Sequence, residues 1–233
     1  MQKEQEEVER KFRDSYKPFI EEINAIISGK HTFTDADFQE IGELLTEQEQ
    51  ETKHNYFTNE KIPEFWLKVF MNSDVIGEHV EEKDEAILRC LEKVEGGKSE
   101  DHKKIWVDFF FSENEWFTNT QIHKEFELDE DVIKKSSGDQ IQWKEGKNIT
   151  IKIVKKKNKK KGGEKKTKEV KEKSFFNFFL DIEIDSDEEE EEEENQDVED
   201  LEAQYEIAQA LYEDIIPKSL EYYLGLIETM DDL

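Results

Sequence analysis

The residues in this 233-residue chain whose type and spacing could do chemistry are first of all its carboxylates. Asp181, Glu183 and Asp185 lead into the unbroken run Glu188, Glu189, Glu190, Glu191, Glu192, Glu193 and Glu194, and Glu202, Glu206, Glu213 and Asp214 follow. Acid/base catalysis needs carboxyls whose burial differs enough to separate their pKa values, and acids in polar runs lack that difference. Their chemistry is instead attraction of cations. At physiological salt the Debye length is about 8 Å, so only carboxylates close to a bound cation act on it. A folded concave surface with an acidic loop beside it therefore serves better than diffuse net charge.

A second charged group has the opposite sign: Lys155, Lys156, Lys157, Lys159, Lys160 and Lys161. Such a cluster can be a nuclear import signal read by an import receptor, a nucleic-acid contact, or a solvated hairpin balancing nearby acids. Nucleic acid fits worst, because the surroundings are acidic and no stacking aromatics interleave the lysines. Import is the preferred reading, and no direct specific DNA binding is expected. Ser186, flanked by Asp185, Asp187, Glu188 and Glu189, is a candidate for an acidic-directed kinase. Phosphorylation there would add up to about two negative charges.

Other chemistries find no support. His31, His54, His79, His102 and His123 stand apart, and no glycine-rich phosphate loop, nucleophile elbow, metal-binding cysteine pair or H-E-x-x-H helix occurs. The expectation is therefore a non-enzyme with no cofactor and no metal. Cys90, in the apolar rhythm Ala86, Ile87, Leu88, Leu91, reads as a buried inert thiol in a reducing compartment. Asn148-Ile149-Thr150 matches a glycosylation acceptor but falls on an expected strand, and it is set aside. A net charge of −28 directs the chain toward cationic partners, while 34% hydrophobic residues and sixteen clustered phenylalanines provide for a real core. With no apolar leader at residues 2–7 and no long apolar run, no membrane partner is expected, and the protein is placed in cytosol or nucleus.

The elements that must carry these charges begin with an amphipathic helix over residues 2–28. Its stripe is Val8, Phe12, Tyr16, Phe19, Ile23 and Ile27, it stops at Gly29, and Pro18 should kink or break it near Lys17. At ~1.5 Å per residue it would run roughly 40 Å, which suits a helix-to-helix dimer contact. Packing within its own chain is the alternative. A second helix is expected from Thr34 or Asp35 to about Lys53, with Phe38, Ile41, Leu44 and Leu45 on its apolar side. Helices are also expected at about 62–70 and 82–94, the latter ended by Gly96-Gly97. Strands follow at 104–111 and 118–128, then at 140–144 and 148–154 joined by Glu145-Gly146-Lys147. A lysine-covered hairpin, a disordered acidic loop and an amphipathic helix at about 198–216 complete the chain. The class is α+β, an antiparallel sheet with helices on one side.

Four segments in order are similar to the nucleosome assembly protein family: Ile62-Pro63-Glu64-Phe65-Trp66-Leu67, Asn114-Glu115-Trp116-Phe117-Thr118-Asn119, Ile141-Gln142-Trp143-Lys144-Glu145-Gly146-Lys147-Asn148-Ile149-Thr150, and Ser174-Phe175-Phe176-Asn177-Phe178-Phe179. The acidic tract and Ile215-Ile216-Pro217-Lys218-Ser219 follow them. Within the family the third and fourth segments, with lysines between, resemble the nucleosome assembly protein 1 branch more than the SET branch of phosphatase inhibitors. The resemblance implies a long dimerisation helix, an earmuff-like sheet domain with an acidic underside that receives core histones, homodimerisation, and shuttling between nucleus and cytoplasm. It implies the following division: 1–30 the dimerisation helix, 31–61 a helical connector, 62–180 the α+β histone-binding domain with its lysine hairpin at 149–173, 181–196 the acidic loop, and 197–233 the closing helices. The expected activity is histone chaperoning without ATP. The rival readings are an acidic adaptor for other basic proteins and a SET-like phosphatase regulator.

Overall fold

A computed structural model of the protein describes residues 2–34, 36, 37, 39, 46, 60–129, 132–155, 167–183 and 191–227. The chain forms two compact units, Met1–Phe65 and Trp66–Leu233.

In the first unit α1 spans Gln2–Ile27 with Pro18 inside it, so the break expected near Lys17 does not divide the helix. Gly29 adopts the left-handed conformation at φ 68°, and the N–H groups of Lys30 and His31 both donate to Ala25 O, closing the last turn. Ile62 N donates to Ile27 O at 2.9 Å, which brings the end of the unit back to the end of α1. Ile27 is accordingly 3% exposed, whereas Tyr16 and Phe19 are 46% and 62% exposed with ring centroids 6.2 Å apart. Thr34 and Asp37 form a reciprocal cap, Thr34 N donating to Asp37 Oδ2 at 2.6 Å and Asp37 N to Thr34 Oγ1 at 3.5 Å. Phe38, Ile41, Leu44 and Leu45 of the expected second helix lie outside the described residues.

From the last residue of the first unit onward come three short helices, α2 (Phe65–Met71), α3 (Asp74–Gly77) and α4 (Glu82–Leu88). They lead into β1 (Leu91–Lys98), β2 (Lys104–Phe111), β3 (Gln121–Asp129) and β4 (Val132–Gly138). With the two-residue β7 (Ile182–Glu183) these make an antiparallel sheet ordered β1-β2-β3-β4-β7. The alternation that predicts β2 holds: Ile105, Val107, Phe109 and Phe111 are buried, and Ile122, Lys124, Phe126 and Leu128 of β3 lie on the same side. A 3-10 helix at Phe175–Phe179 packs four phenylalanines against that face. Phe109 meets Phe179 edge-on at 5.0 Å and Phe178 at 5.7 Å, the arrangement the ring quadrupoles favour.

The expected helix over 82–94 is shorter, because Leu91 and Val94 belong to β1. Gly96-Gly97 is not a helix stop but lies inside that strand, and close approach on each face explains it. A Cβ on Gly96 would meet Ile216 Cδ1 at 3.2 Å, and one on Gly97 would meet the Trp106 ring at 2.8 Å. The hairpin expected from 140–144 and 148–154 does not form. Trp143 instead bridges Phe117, with Lys144 N donating to Trp116 O at 2.7 Å. The partner of β5 (Ile151–Lys155) is β6 (Thr167–Lys171), so the lysine-bearing hairpin is present in its described strands. The strand expected at 118–128 starts at Gln121, and β4 answers to no sequence expectation.

The stretch 181–196 is not a loop throughout. Ile182–Glu183 pairs with β4, and α5 begins at Glu191 and runs to Ala210. Repelling carboxylates can be helical there because they occupy the helix start, where the macrodipole favours negative charge. After Ala210 the chain makes a π turn at Leu211–Ile215, with Ile216 N donating to Leu211 O, and then α6 (Ser219–Leu224).

Candidate functional site

The charges follow from how α5 is seated. Leu201, Gln204, Ile207, Ala208, Leu211 and Tyr212 are buried, and this spacing of three and four residues turns the other side of the helix to solvent. On that side Glu199, Glu202 and Glu206 are exposed, and Glu213 continues the row on the π turn. At ~1.5 Å per residue the ridge from Glu199 to Glu213 is about 20 Å long. Glu199, Glu202 and Glu206 follow one another at about 4.5–6 Å along the axis, within one Debye length of about 8 Å, so their potentials add, while Glu213 stands about 10 Å further on and extends the row.

The remaining acids have separate fates. Asp181 is exposed and accepts from Gly138 N at 2.8 Å, so it also helps close the sheet at β4. Glu183 is exposed on β7, opposite Lys135 in register. Asp214 is occupied internally, taking hydrogen bonds from Lys218 Nζ and Tyr222 Oη. Burial raises its carboxyl pKa, but those two hydrogen bonds and the Lys218 charge outweigh burial and hold it below the ordinary range. It is a bracket between the π turn and α6 more than a member of the ridge. Asp185, Ser186, Glu188, Glu189 and Glu190 lie outside the described residues, and Glu191, Glu192, Glu193 and Glu194 form the first turn of α5.

Of the lysines, Lys155 ends β5, while Lys156, Lys157, Lys159, Lys160 and Lys161 lie outside the described residues. The hairpin base is joined to the acidic helix by Lys171 Nζ and Asp200 Oδ2 at 2.9 Å. Of the α1 stripe, Tyr16 and Phe19 are exposed, Ile23 is half-buried and the side chains of Val8 and Phe12 lie outside the described set. Ile27 is buried within its own chain and is thereby removed from the candidate dimer contact.

Sequence reasoning missed two features of the site. Glu199 continues the spacing of Glu202 and Glu206 by one more turn, a signal that was available. The second is Lys124, buried at 0% exposure beneath the acidic helix. Its ammonium donates to Ser136 Oγ at 2.9 Å and Leu180 O at 2.6 Å, and Ser136 Oγ donates to Gln204 Oε1 of α5 at 2.9 Å. Gln204 Nε2 returns to Asn177 O and Leu180 O at 3.1 and 3.3 Å. Desolvation pulls the Lys124 pKa from 10.5 to about 8, against the opposing charge of Asp181.

Among the described residues no group of three or more His, Cys, Asp or Glu could hold a metal ion, and no helix is long and apolar enough to cross a membrane. An antiparallel sheet that carries an acidic helical ridge, with the β5-β6 hairpin tied to that helix, defines the protein as α+β. The family model for the nucleosome assembly protein matches residues 1–226, and the chain belongs to that family. It is 34% identical over 228 residues to nucleosome assembly protein 1;1 of Arabidopsis thaliana, covering 94% of this chain and 59% of that protein. Over 255 residues it is 34% identical to nucleosome assembly protein 1-like 1-A of Xenopus laevis, covering 97% of this chain and 64% of the relative. This chain thus spans about three fifths of the length of these relatives. Among solved structures, nucleosome assembly protein 1 from Plasmodium knowlesi shares the fold, with TM-score 0.68, 24% identity and coverage of 96% of this chain and 86% of that one.

Proposed function

We propose that this protein is a histone chaperone: it binds core histones, as the nucleosome's outer histone dimer or central tetramer, and keeps them from unproductive contact with DNA. The observation that carries the reading is the exposed row Glu199, Glu202, Glu206 and Glu213 on a helix fixed to a rigid sheet, in a member of the nucleosome assembly protein family. Histones are dense in lysine and arginine, and DNA draws them so strongly that direct mixing traps disordered complexes. A competing polyanion occupies the histone's basic surface and prevents that. The ridge is the fixed part of this surface, and Asp181, Glu183, Asp185 and Glu188 to Glu194 extend it. No ATP is needed, because DNA takes the histone by mass action once an ordered nucleosome is the lower free-energy destination. No step makes or breaks a covalent bond, so the protein is not an enzyme.

The finer points follow from the same reading. Tyr16 and Phe19 offer two chains an apolar contact through α1, giving a homodimer. The lysine hairpin serves an import receptor, which places the protein in both nucleus and cytoplasm. The test is a DNA-competition assay with purified outer dimer and central tetramer, read as suppression of non-nucleosomal histone–DNA complexes. Suppression at stoichiometric chaperone supports the proposal, and its absence for both histone pairs overturns it. Competition among basic cargoes separates this reading from a general acidic adaptor, which should rank them by charge alone.

A further inference from the structure

We propose that Lys124 is the positioning residue of the acidic helix: through Ser136 and Gln204 it fixes one axial placement of α5 on the sheet, and hence where the ridge carboxylates stand. The significance for cargo rests on the ridge being the histone-binding surface, whereas the placement itself does not.

The buried side of α5 is otherwise greasy, with Leu201, Ile207 and Ala208 buried and Leu211 continuing the row at the start of the π turn. Apolar side chains that recur every turn tolerate a slip of the helix along its axis, since one turn presents much the same surface as the next. Directional hydrogen bonds do not. The chain Lys124 Nζ to Ser136 Oγ to Gln204 Oε1, with Gln204 Nε2 on two carbonyls, closes at one height only, because each link is 2.9–3.3 Å long. It also unites four elements, since Lys124 lies on β3, Ser136 on β4, Asn177 in the 3-10 helix and Gln204 on α5. Lys124 is fully buried, a placement that disfavours the ammonium and that an apolar side chain of the same length would avoid. A single polar group in an apolar seam sets the register of paired helices in coiled coils at a similar cost.

The test places spin labels at Glu206→Cys on α5 and Gln121→Cys on β3, both exposed positions, in a Cys90→Ala background of the whole chain. The label-to-label distance is compared between the parent, Lys124→Met, and the all-apolar variant Lys124→Met/Ser136→Ala/Gln204→Leu. The parent should give one narrow distance. Both variants should give a broadened distribution or one displaced by about one helical turn, ~5 Å, with the all-apolar variant melting no lower than the parent. If Lys124→Met does not fold, the all-apolar variant alone decides. A distance unchanged from the parent in the folded variants overturns the proposal. Affinity for the outer histone dimer, measured on unlabelled protein, should fall about 3- to 10-fold with the displacement. Loss of histone binding in the parent would instead count against the ridge reading and leave the distance result standing.

Discussion

Asp84→Ala should be among the most damaging single substitutions in the second unit, and the reason lies in three donors. Asp84 is 0% exposed. Its Oδ1 accepts from Ser174 Oγ at 2.6 Å, and its Oδ2 accepts from Phe175 N at 2.7 Å and from Glu81 N at 3.0 Å. Truncation leaves two backbone N–H groups and a hydroxyl facing a hole in an aromatic core. The hydroxyl can turn to another acceptor, but the two N–H groups lose theirs at about 1–3 kcal/mol each, the Glu81 N–H being the one that Asp84 holds in the capping box of α4. The two orphaned N–H groups together cost about 4 kcal/mol. Against a total stability of about 5–15 kcal/mol this is a large share, and for a unit of this size it corresponds to a Tm lower by roughly 8–16 °C. The damage should also spread. Ser174 caps the 3-10 helix, and that helix supplies the Asn177 carbonyl that holds Gln204 of α5. Urea unfolding followed by tryptophan fluorescence and far-UV circular dichroism gives the value, with an unchanged m-value showing that stability alone has moved. A loss under about 1 kcal/mol would refute the assignment of Asp84 as the anchor of the Ser-Phe-Phe-Asn-Phe-Phe segment.

Three further outcomes are expected. Lys124 has a folded pKa of about 8, below its ordinary 10.5, so above pH 8 the unfolded chain holds a proton that the folded chain has released, and stability rises with pH through that window. Relative to Lys124→Met, the parent should gain on the order of 2 kcal/mol between pH 8 and 9.5 in chemical denaturation, and parallel curves would contradict this. Gly138→Ala would set a Cβ 2.4 Å from the His123 carbonyl oxygen, a backbone atom, so β4 must part from β3 at a cost of about 1–3 kcal/mol, seen as faster amide exchange in β4. Tyr16→Glu/Phe19→Glu should shift sedimentation from dimer toward monomer with the second unit's melting unchanged, and a monomeric parent would remove the dimer proposal.

What could be read from sequence depended on whether burial followed type. Strand β2 was legible because Ile105, Val107, Phe109 and Phe111 alternate with less buried neighbours. Strand β4 was not, since Val132-Ile133-Lys134-Lys135-Ser136-Ser137-Gly138 hides its one buried side chain, Ser136, behind a polar name. The 82–94 segment reads as one helix because Leu88, Leu91 and Val94 keep a helical spacing across the change to β1. Among the acids, position on the outer side of α5 was legible for Glu202, Glu206 and Glu213, whereas the internal use of Asp214 needed Lys218 and Tyr222 to be seen beside it. Lys124 was within reach of sequence reasoning: in Ile122-His123-Lys124-Glu125-Phe126-Glu127-Leu128 it falls on the apolar side of the alternation.

The most direct test of the acidic ridge is equilibrium binding of the outer histone dimer at 0.15 M salt and across a salt series, for the parent and for Glu199→Gln/Glu202→Gln/Glu206→Gln/Glu213→Gln. At ~0.5 kcal/mol for each exposed charge, the four substitutions should weaken binding by about 2 kcal/mol, roughly 30-fold, and flatten the dependence of affinity on salt. Equal affinity and equal salt slope in the two proteins would contradict the assignment of histone capture to α5.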